Sequence, residues 1–285
     1  MNNILEVKNL SKKYDGFELK NVNIELPQGT IMGFIGENGA GKTTTIKSIL
    51  NIIKRDSGKI KIFGLDNIEN ERKIKEDIGV VLDDSFLSEY LNPLDINKIM
   101  KNIYKNWDEN LYFKYINDFK LPKEKISKEY SSGMKMKLKI AVALSHHPKL
   151  LILDEPTSGI DPVARNEILD IFQDFIQDEE HGIFVSSHIT SDLEHIADYI
   201  TFINNGKIVF TKTRDELLEN YGIVKCTDEQ FKTINKNDYI KYKKNKYEYD
   251  VLIENKYEFK SKYDFSVIDK PNIEDIMLIY IKGAK

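Results

Sequence analysis

From residue 3 to about residue 210, short β-branched and apolar runs alternate with stretches whose apolar positions recur at helical spacing, the pattern of an α/β fold on a mainly parallel sheet. Ile31 to Ile35, Ile78 to Leu82, Leu150 to Leu153 and Ile183 to Ser186 are continuous apolar runs, as strands covered on both faces require. Ile4 to Val7 and Val22 to Leu26, the second closing on the turn formers Pro27 and Gly29, predict antiparallel edge strands, and Gly206 to Phe210 predicts a last strand. Thr44 to Ile53 predicts a helix. Asn92 to Leu144 has no strand pattern, and Ile96, Ile99, Met100, Ile103 and Tyr104 follow a helical period, so residues 90–146 read as an inserted helical lobe.

Beyond residue 212 the pattern changes. Eight of the 15 tyrosines fall in residues 221–285, the stretch Lys236 to Asp250 alternates polar with aromatic residues like an exposed strand, and Ile273, Ile276, Met277, Tyr280 and Ile281 close the chain at helical spacing. The expected division is a main domain over 1–212 and a small C-terminal α/β domain over 213–285. Charge narrows the partners: 42 Lys and Arg against 46 Asp and Glu give a net charge of −4, and from residue 211 onward the counts are 15 against 14. Neither balance has the basic excess of a nucleic-acid binder, so no nucleic-acid partner is expected. No window approaches the roughly 18 to 20 apolar residues of a membrane span, and the first ten residues lack the pattern of a secretory signal, so a cytoplasmic location is expected. Cys226 stands alone in the chain, which excludes an intramolecular disulfide, and it reads as an inert small residue.

Gly36, Glu37, Asn38, Gly39, Ala40, Gly41, Lys42 and Thr43 fit the pattern G-x-x-x-x-G-K-[ST], placed between a strand and a helix that continues through Thr44. Glycines let the backbone curl until successive N–H groups face phosphate oxygens, and the helix N-terminus adds partial positive charge. Lys42 would bridge the β- and γ-phosphates of a nucleotide, and Thr43 would offer its hydroxyl to Mg²⁺. The run Lys149 to Pro156 ends an apolar strand in two carboxylates: Asp154 could hold Mg²⁺, and Glu155 could orient or deprotonate an attacking water. His146 and His147 have no third ligand at useful spacing and read as a loop pair before Pro148, not a metal site. Asn235 to Asp238 matches a guanine-reading motif by chance, lacking the buried strand that should precede it.

Further features carry a family resemblance. Tyr130, Ser131, Ser132, Gly133 and Met134 resemble the signature sequence of ATP-binding cassette (ABC) proteins, usually L-S-G-G-Q; His188 resembles the family's switch histidine, Ser158 to Asp161 its D-loop, and Tyr14 the aromatic that stacks on adenine. The resemblance spans residues 3 to about 210 in order and spacing. It implies a P-loop NTPase with a RecA-like mixed sheet, an antiparallel β edge and an inserted helical subdomain. It implies further that ATP lies in a head-to-tail dimer, held by Tyr14 and residues 36–44 of one subunit and closed by Ser131 and Gly133 of the other, with His188 at the γ-phosphate. ATP and Mg²⁺ are the implied cofactors, and a second ATPase subunit and transmembrane permease subunits the implied partners, on the inner face of the cell membrane. The variant Y-S-x-G-M-K at the signature, with Tyr104 to Glu109 and Ile273 to Met277, resembles bacterial exporter ATPases of the drug- and bacteriocin-resistance (ABC-2-like) type, so transport, as export, is the expected function. The alternative is a non-transport ABC ATPase of DNA repair or the ribosome. Against it, only 89 residues separate Lys42 from Ser131, leaving no room for long coiled coils, and the chain holds one cassette. Because every nucleotide motif lies upstream of Thr190, residues 221–285 read as dispensable for nucleotide chemistry.

One position departs from the family. Asp83 and Asp84 follow the strand Ile78 to Leu82 where the family has a glutamine, and Asp83 is expected to reach Mg²⁺ through a water. Asp83→Asn should then raise the Mg²⁺ concentration for half-maximal ATPase. A magnesium titration superimposable on wild type would remove Asp83 from the site.

Overall fold

The computed structural model describes residues 2–82, 88–264 and 267–285, and among these the strands form three sheets. β1 (Asn3–Tyr14) turns back on β2 (Phe17–Pro27) with Tyr14 opposite Phe17. The chain then crosses to a second sheet in β3 (Thr30–Ile35), runs through α1 (Lys42–Ile49), and returns in β4 (Ser57–Ile62) and the short β5 (Leu65–Asp66), completing an antiparallel sheet of order β2-β1-β4-β5. After α2 (Glu71–Glu76) and β6 (Ile78–Val81) come the helices of the inserted lobe, α3 (Pro93–Ile103), α4 (Glu109–Asp118) and α5 (Ser132–Leu144). β7 (Leu150–Asp154), α6 (Pro162–Phe175), β8 (Gly182–Ser187), α7 (Thr190–Ile196), β9 (Tyr199–Asn204) and β10 (Lys207–Thr213) complete the central sheet, of order β10-β9-β3-β8-β7-β6, in which only β10 runs antiparallel to its neighbour.

Period-two alternation sorts the apolar strands between two cores. Ile31 and Ile35 of β3, Leu151 and Leu153 of β7, and Ile183 and Val185 of β8 face one side, where they pack with Ile140 of α5, Phe172 of α6 and Leu193 of α7. Met32 and Phe34, Leu150 and Ile152, and Phe184 face the other, against Leu5, Ile24 and Ile60 of the antiparallel sheet and Ile46 of α1. The lobe has its own small core, including Ile96, Tyr112, Ile116 and Leu138. Its helices start where side chains cap them: Asn92 Oδ1 accepts from Asp95 N, and Asp108 Oδ1 from Leu111 N. The pattern missed β4 and β9, and the edge strands run well beyond Ile4 to Val7 and Val22 to Leu26. In β4 lysines alternate with isoleucines, and β9 carries Tyr199, Thr201 and Asn204, so neither is a continuous apolar run.

After β10 the chain forms β11 (Gly222–Cys226), α8 (Asp228–Thr233), β12 (Lys241–Lys244), β13 (Tyr249–Ile253), α9 (Lys256–Lys262), β14 (Val267–Asp269) and α10 (Ile273–Lys282), with an antiparallel sheet of order β12-β13-β11-β14. This sheet has two differently committed faces. Val224, Cys226, Tyr249, Val251 and Ile253 close a local core with Phe259, whereas Ile223 and Leu252 join the central core together with Ile273, Ile276 and Ile279 of α10. α10 lies against α7, and its first N–H, of Ile273, donates to Glu194 Oε1 at 2.7 Å. The expectation that residues 221–285 are separable from the nucleotide machinery meets this shared core, in which they pack together with Leu193, Ile196 and Leu217. Ile276, fully buried, is expected to cost about 2–5 kcal/mol when replaced by alanine, read as a lower urea midpoint. A chain ending at Asn220 is expected to melt at lower temperature than the full chain and to bind ATP less tightly, by calorimetry.

Candidate functional site

Three parallel strands deliver the site. Ile35 of β3 pairs with Ser187 of β8, and Ser186 of β8 with Asp154 of β7, so the residues that follow each strand emerge side by side at one sheet edge. From β3 comes the loop Gly36 to Gly41. A Cβ on Gly36 would stand 2.5 Å from the Ile203 carbonyl oxygen, and Gly39 and Gly41 hold φ angles of 81° and 114°, so the turn needs glycine at each. Gly41 is the N-cap of α1 and contributes no side-chain cap, leaving the first-turn N–H groups to an external acceptor.

Lys42, 6% exposed, turns its ammonium back over this loop: Nζ donates to Gly36 O at 2.7 Å and lies 3.4 Å from Glu155 Oε1. Thr43 Oγ1 donates to Asp154 Oδ2 at 2.9 Å, and Ser186 Oγ to Asp154 Oδ1 at 2.5 Å. Glu155 takes a left-handed backbone, φ 53°, immediately before Pro156, a conformation costing on the order of 1–3 kcal/mol for a residue with a side chain. Its N–H donates to Ser186 O and Oγ, at 3.1 and 3.2 Å, which holds it there. The result aims the carboxylate inward: Oε1 at Lys42 and Oε2 at His188, whose Nδ1 lies 2.5 Å away and whose backbone N–H donates to the same oxygen at 3.1 Å. Ser186 is a site residue the sequence reading did not single out. Its signal was a polar residue closing an otherwise apolar strand.

Tyr14 lies on the hairpin whose returning strand touches the loop. It is exposed at the end of β1 with the Lys12 ammonium 5.3 Å above its ring, and its partner Phe17 would touch a Cβ on Gly41 at 3.0 Å. Glu37 and Asn38 are exposed and Ala40 is buried within the loop; Thr44 is half-buried in α1. Ser131 and Gly133 lie elsewhere. Ser131 is exposed and caps α5, accepting from Met134 N, and a Cβ on Gly133 would meet Ile160 at 2.9 Å and Ala164 at 3.3 Å, so this helix end packs on the first turn of α6. Asp83 lies outside the described residues. Among the described residues no group of His, Cys, Asp or Glu is arranged to hold a metal by itself. The Thr43 hydroxyl beside the Asp154 carboxylate is instead a hard-oxygen pair of the kind that takes a divalent cation together with substrate phosphates.

The remaining candidates have structural roles. His146 is buried, stacked on Tyr104 at 4.0 Å with Nε2 3.0 Å from Ile78 O, and burial lowers its pKa. Asp238 of the guanine-like motif is taken by Lys262 and Tyr263. Burial pushes the Cys226 thiol up to about 11, so it stays protonated. One unexpected neighbour appears: a cavity of about 380 Å³ beside the loop is walled by Gly36, Glu37 and His188 on one side and by Glu274, Met277 and Leu278 of α10 on the other.

Residues 19–158 match the family model described as ABC transporter. The bacitracin transport ATP-binding protein BcrA of Bacillus licheniformis is 36% identical over 212 residues, covering 73% of this chain and 69% of that protein. The lantibiotic transport ATP-binding protein SrtF of Streptococcus pyogenes is 37% identical over 215 residues, covering 74% and 92%. A solved structure of an ATP-binding subunit of an ABC transporter superposes with a TM-score of 0.68 at 28% identity, over 75% of this chain and 91% of that one. Among the described residues no helix is long and apolar enough to cross a membrane. A cassette fold with a mixed central sheet and a helical lobe, a glycine-built loop between strand and helix, and relatives of this identity and coverage lead to one assignment: the chain belongs to the ABC transporter family, as an ATP-binding subunit that hydrolyses ATP.

Proposed function

We propose that this chain powers export through separate transmembrane subunits, with Lys42, Glu155 and His188 as its hydrolytic residues. The observation that carries the hydrolytic reading is the placement of one carboxylate, Glu155, between the Lys42 ammonium and the His188 imidazole. Lys42 Nζ is held by the Gly36 carbonyl and Glu155. A triphosphate in the loop offers it stronger, charged acceptors, and its transfer to them frees Glu155 Oε1 to accept a proton from a water in line with the γ-phosphate. His188, bonded to Oε2, holds the carboxylate in that direction. Thr43 and Asp154 would hold Mg²⁺, which supplies charge neutralisation at the β- and γ-phosphates when bound. Tyr14, at the exposed rim, would stack on the adenine, with residues 36–44 around the phosphates.

The exposure of Ser131, away from this chain's own loop, supports closure of the site by a second ATPase subunit, identical or sister. A signature serine and glycine at a helix N-terminus offer a hydroxyl, an N–H and a dipole to the partner's γ-phosphate. The bacitracin and lantibiotic transport ATPases among its relatives support export of a drug or peptide antibiotic. A groove of about 930 Å³ between the central sheet and the lobe supports docking of a permease on the cytoplasmic side of a membrane. It exposes Ile52, Ile68 and Ile103 beside Arg72 and Glu76, an apolar floor with a charged rim.

Glu155→Gln is expected to lose on the order of 10²–10³ in turnover while still binding ATP and accumulating as an ATP-bound dimer; Lys42→Ala is expected to bind ATP weakly. Size-exclusion with MgATP and a phosphate-release assay check both. A Glu155→Gln protein that stays monomeric and turns over normally would sink the assignment.

A further inference from the structure

His188 is fixed by more than Glu155. It is followed two residues later by α7, a helix pressed onto β3 so closely that a Cβ on Gly33 would stand 2.8 Å from Leu193 Cδ1. Apolar contact presses α7 to the sheet but does not select its position along it. A directional contact does that: Arg165, in the first turn of α6, donates from Nε to Asp192 Oδ1 and from a terminal nitrogen to Ser191 Oγ at 2.9 Å. Asp192 is 4% exposed, and its other oxygen, Oδ2, is buried with no hydrogen-bond partner among the described residues.

A buried carboxylate with one oxygen unsatisfied is a poor way to gain stability, since an apolar pair of similar volume serves as well or better. Its distinguishing property is direction. The planar guanidinium sets both the distance and the angle between α6 and the start of α7. The same turn of α6 is anchored by Asp161, whose Oδ1 accepts from Val163 N and Ala164 N, and it is the turn on which Gly133 packs.

We propose that Arg165 and Asp192 are positioning residues for ATP hydrolysis: their ion pair fixes α7 to the first turn of α6 and so holds the His188 imidazole on Glu155. The inference rests on the reading of His188 and Glu155 as hydrolytic residues. It also means that His188, in the cis site, and the Ser131 helix end, which faces a second subunit, take their positions from one turn of α6.

The test is a mutant cycle on the full chain, with turnover normalised to folded, ATP-binding protein. Asp192→Asn, which keeps shape and loses charge, should lower kcat about tenfold, as for a catalytic group displaced by a fraction of an ångström, with KM for ATP within about twofold. Arg165→Lys, which keeps charge and loses the fork, should show an intermediate loss and serves as the second variant if Asp192→Asn fails to fold. In a His188→Ala background either substitution should cost nothing further, because the group it positions is gone. A merely structural pair would lower the melting temperature while leaving kcat unchanged, or lower kcat by the same factor in both backgrounds, and either result overturns the proposal. Normal turnover in His188→Ala alone would instead overturn the role of His188, and with it the route assigned to the pair. Loss in His188→Ala with wild-type kcat in both pair variants would overturn the pair alone.

Discussion

The parallel register of β3, β8 and β7 is the constraint on which the site depends. Each strand contributes one chemical function at or just past its last residue, and only because Phe34 lies opposite Ser186, and Ser186 opposite Asp154, do a glycine loop, a carboxylate pair and an imidazole meet. That register is held by burial, not by the site itself. Ile31, Leu151 and Ile183 point to one core and Met32, Ile152 and Phe184 to the other, so a slip of one residue would turn every side chain to the wrong face. The polar residues at the edge stand on strands whose placement is settled elsewhere. This is what lets Glu155 be kept in a left-handed conformation that its own side chain and the following proline both disfavour.

Much of this was legible in the sequence for a physical reason: strands buried on both faces and loops built on obligatory glycines both leave contiguous signals. Residues 31–35 and 150–153 could be read as strands without a partner in view, and Gly36 to Thr43 carry their geometry in their composition. What escaped were elements whose identity depends on neighbours. β4 has a polar side exposed and an apolar side, Ile60 and Ile62, packed in the core between its own sheet and the central one, and β9 is recognisable only once β3 and β10 flank it. Ser186 escaped for a related reason, since a serine at a strand end acquires meaning only through the carboxylate placed opposite it. The Arg165 and Asp192 pair joins two helices through residues 27 positions apart in sequence, and no local pattern announces it.

The helices at the site divide the work in a way the motifs alone do not suggest. α1 offers unpaired N–H groups, α5 starts from the exposed cap Ser131, and α6 and α7 pack behind them. These last two act as a frame. Their contacts, Gly133 on Ile160 and Ala164, Arg165 on Asp192, Leu193 over Gly33, form a continuous series of close approaches from the exposed cap of α5 to the histidine.

The two faces of the C-terminal sheet bear on how freely this part of the chain can diverge. Val224, Val251, Ile253 and Phe259 belong to a local core with Cys226, Ile234, Tyr239 and Tyr249, separate from the central one, so this set can be repacked with little demand on the cassette. Ile223, Leu252, Ile273 and Ile276 answer to α7 and to the central sheet, and any tail grafted in their place must reproduce their volumes or leave a void under the helix that follows His188. The tail is thus modular on its outer side and indentured on its inner one. Sequence drift can accumulate on the first side, while the second carries a memory of the cassette against which it was fitted.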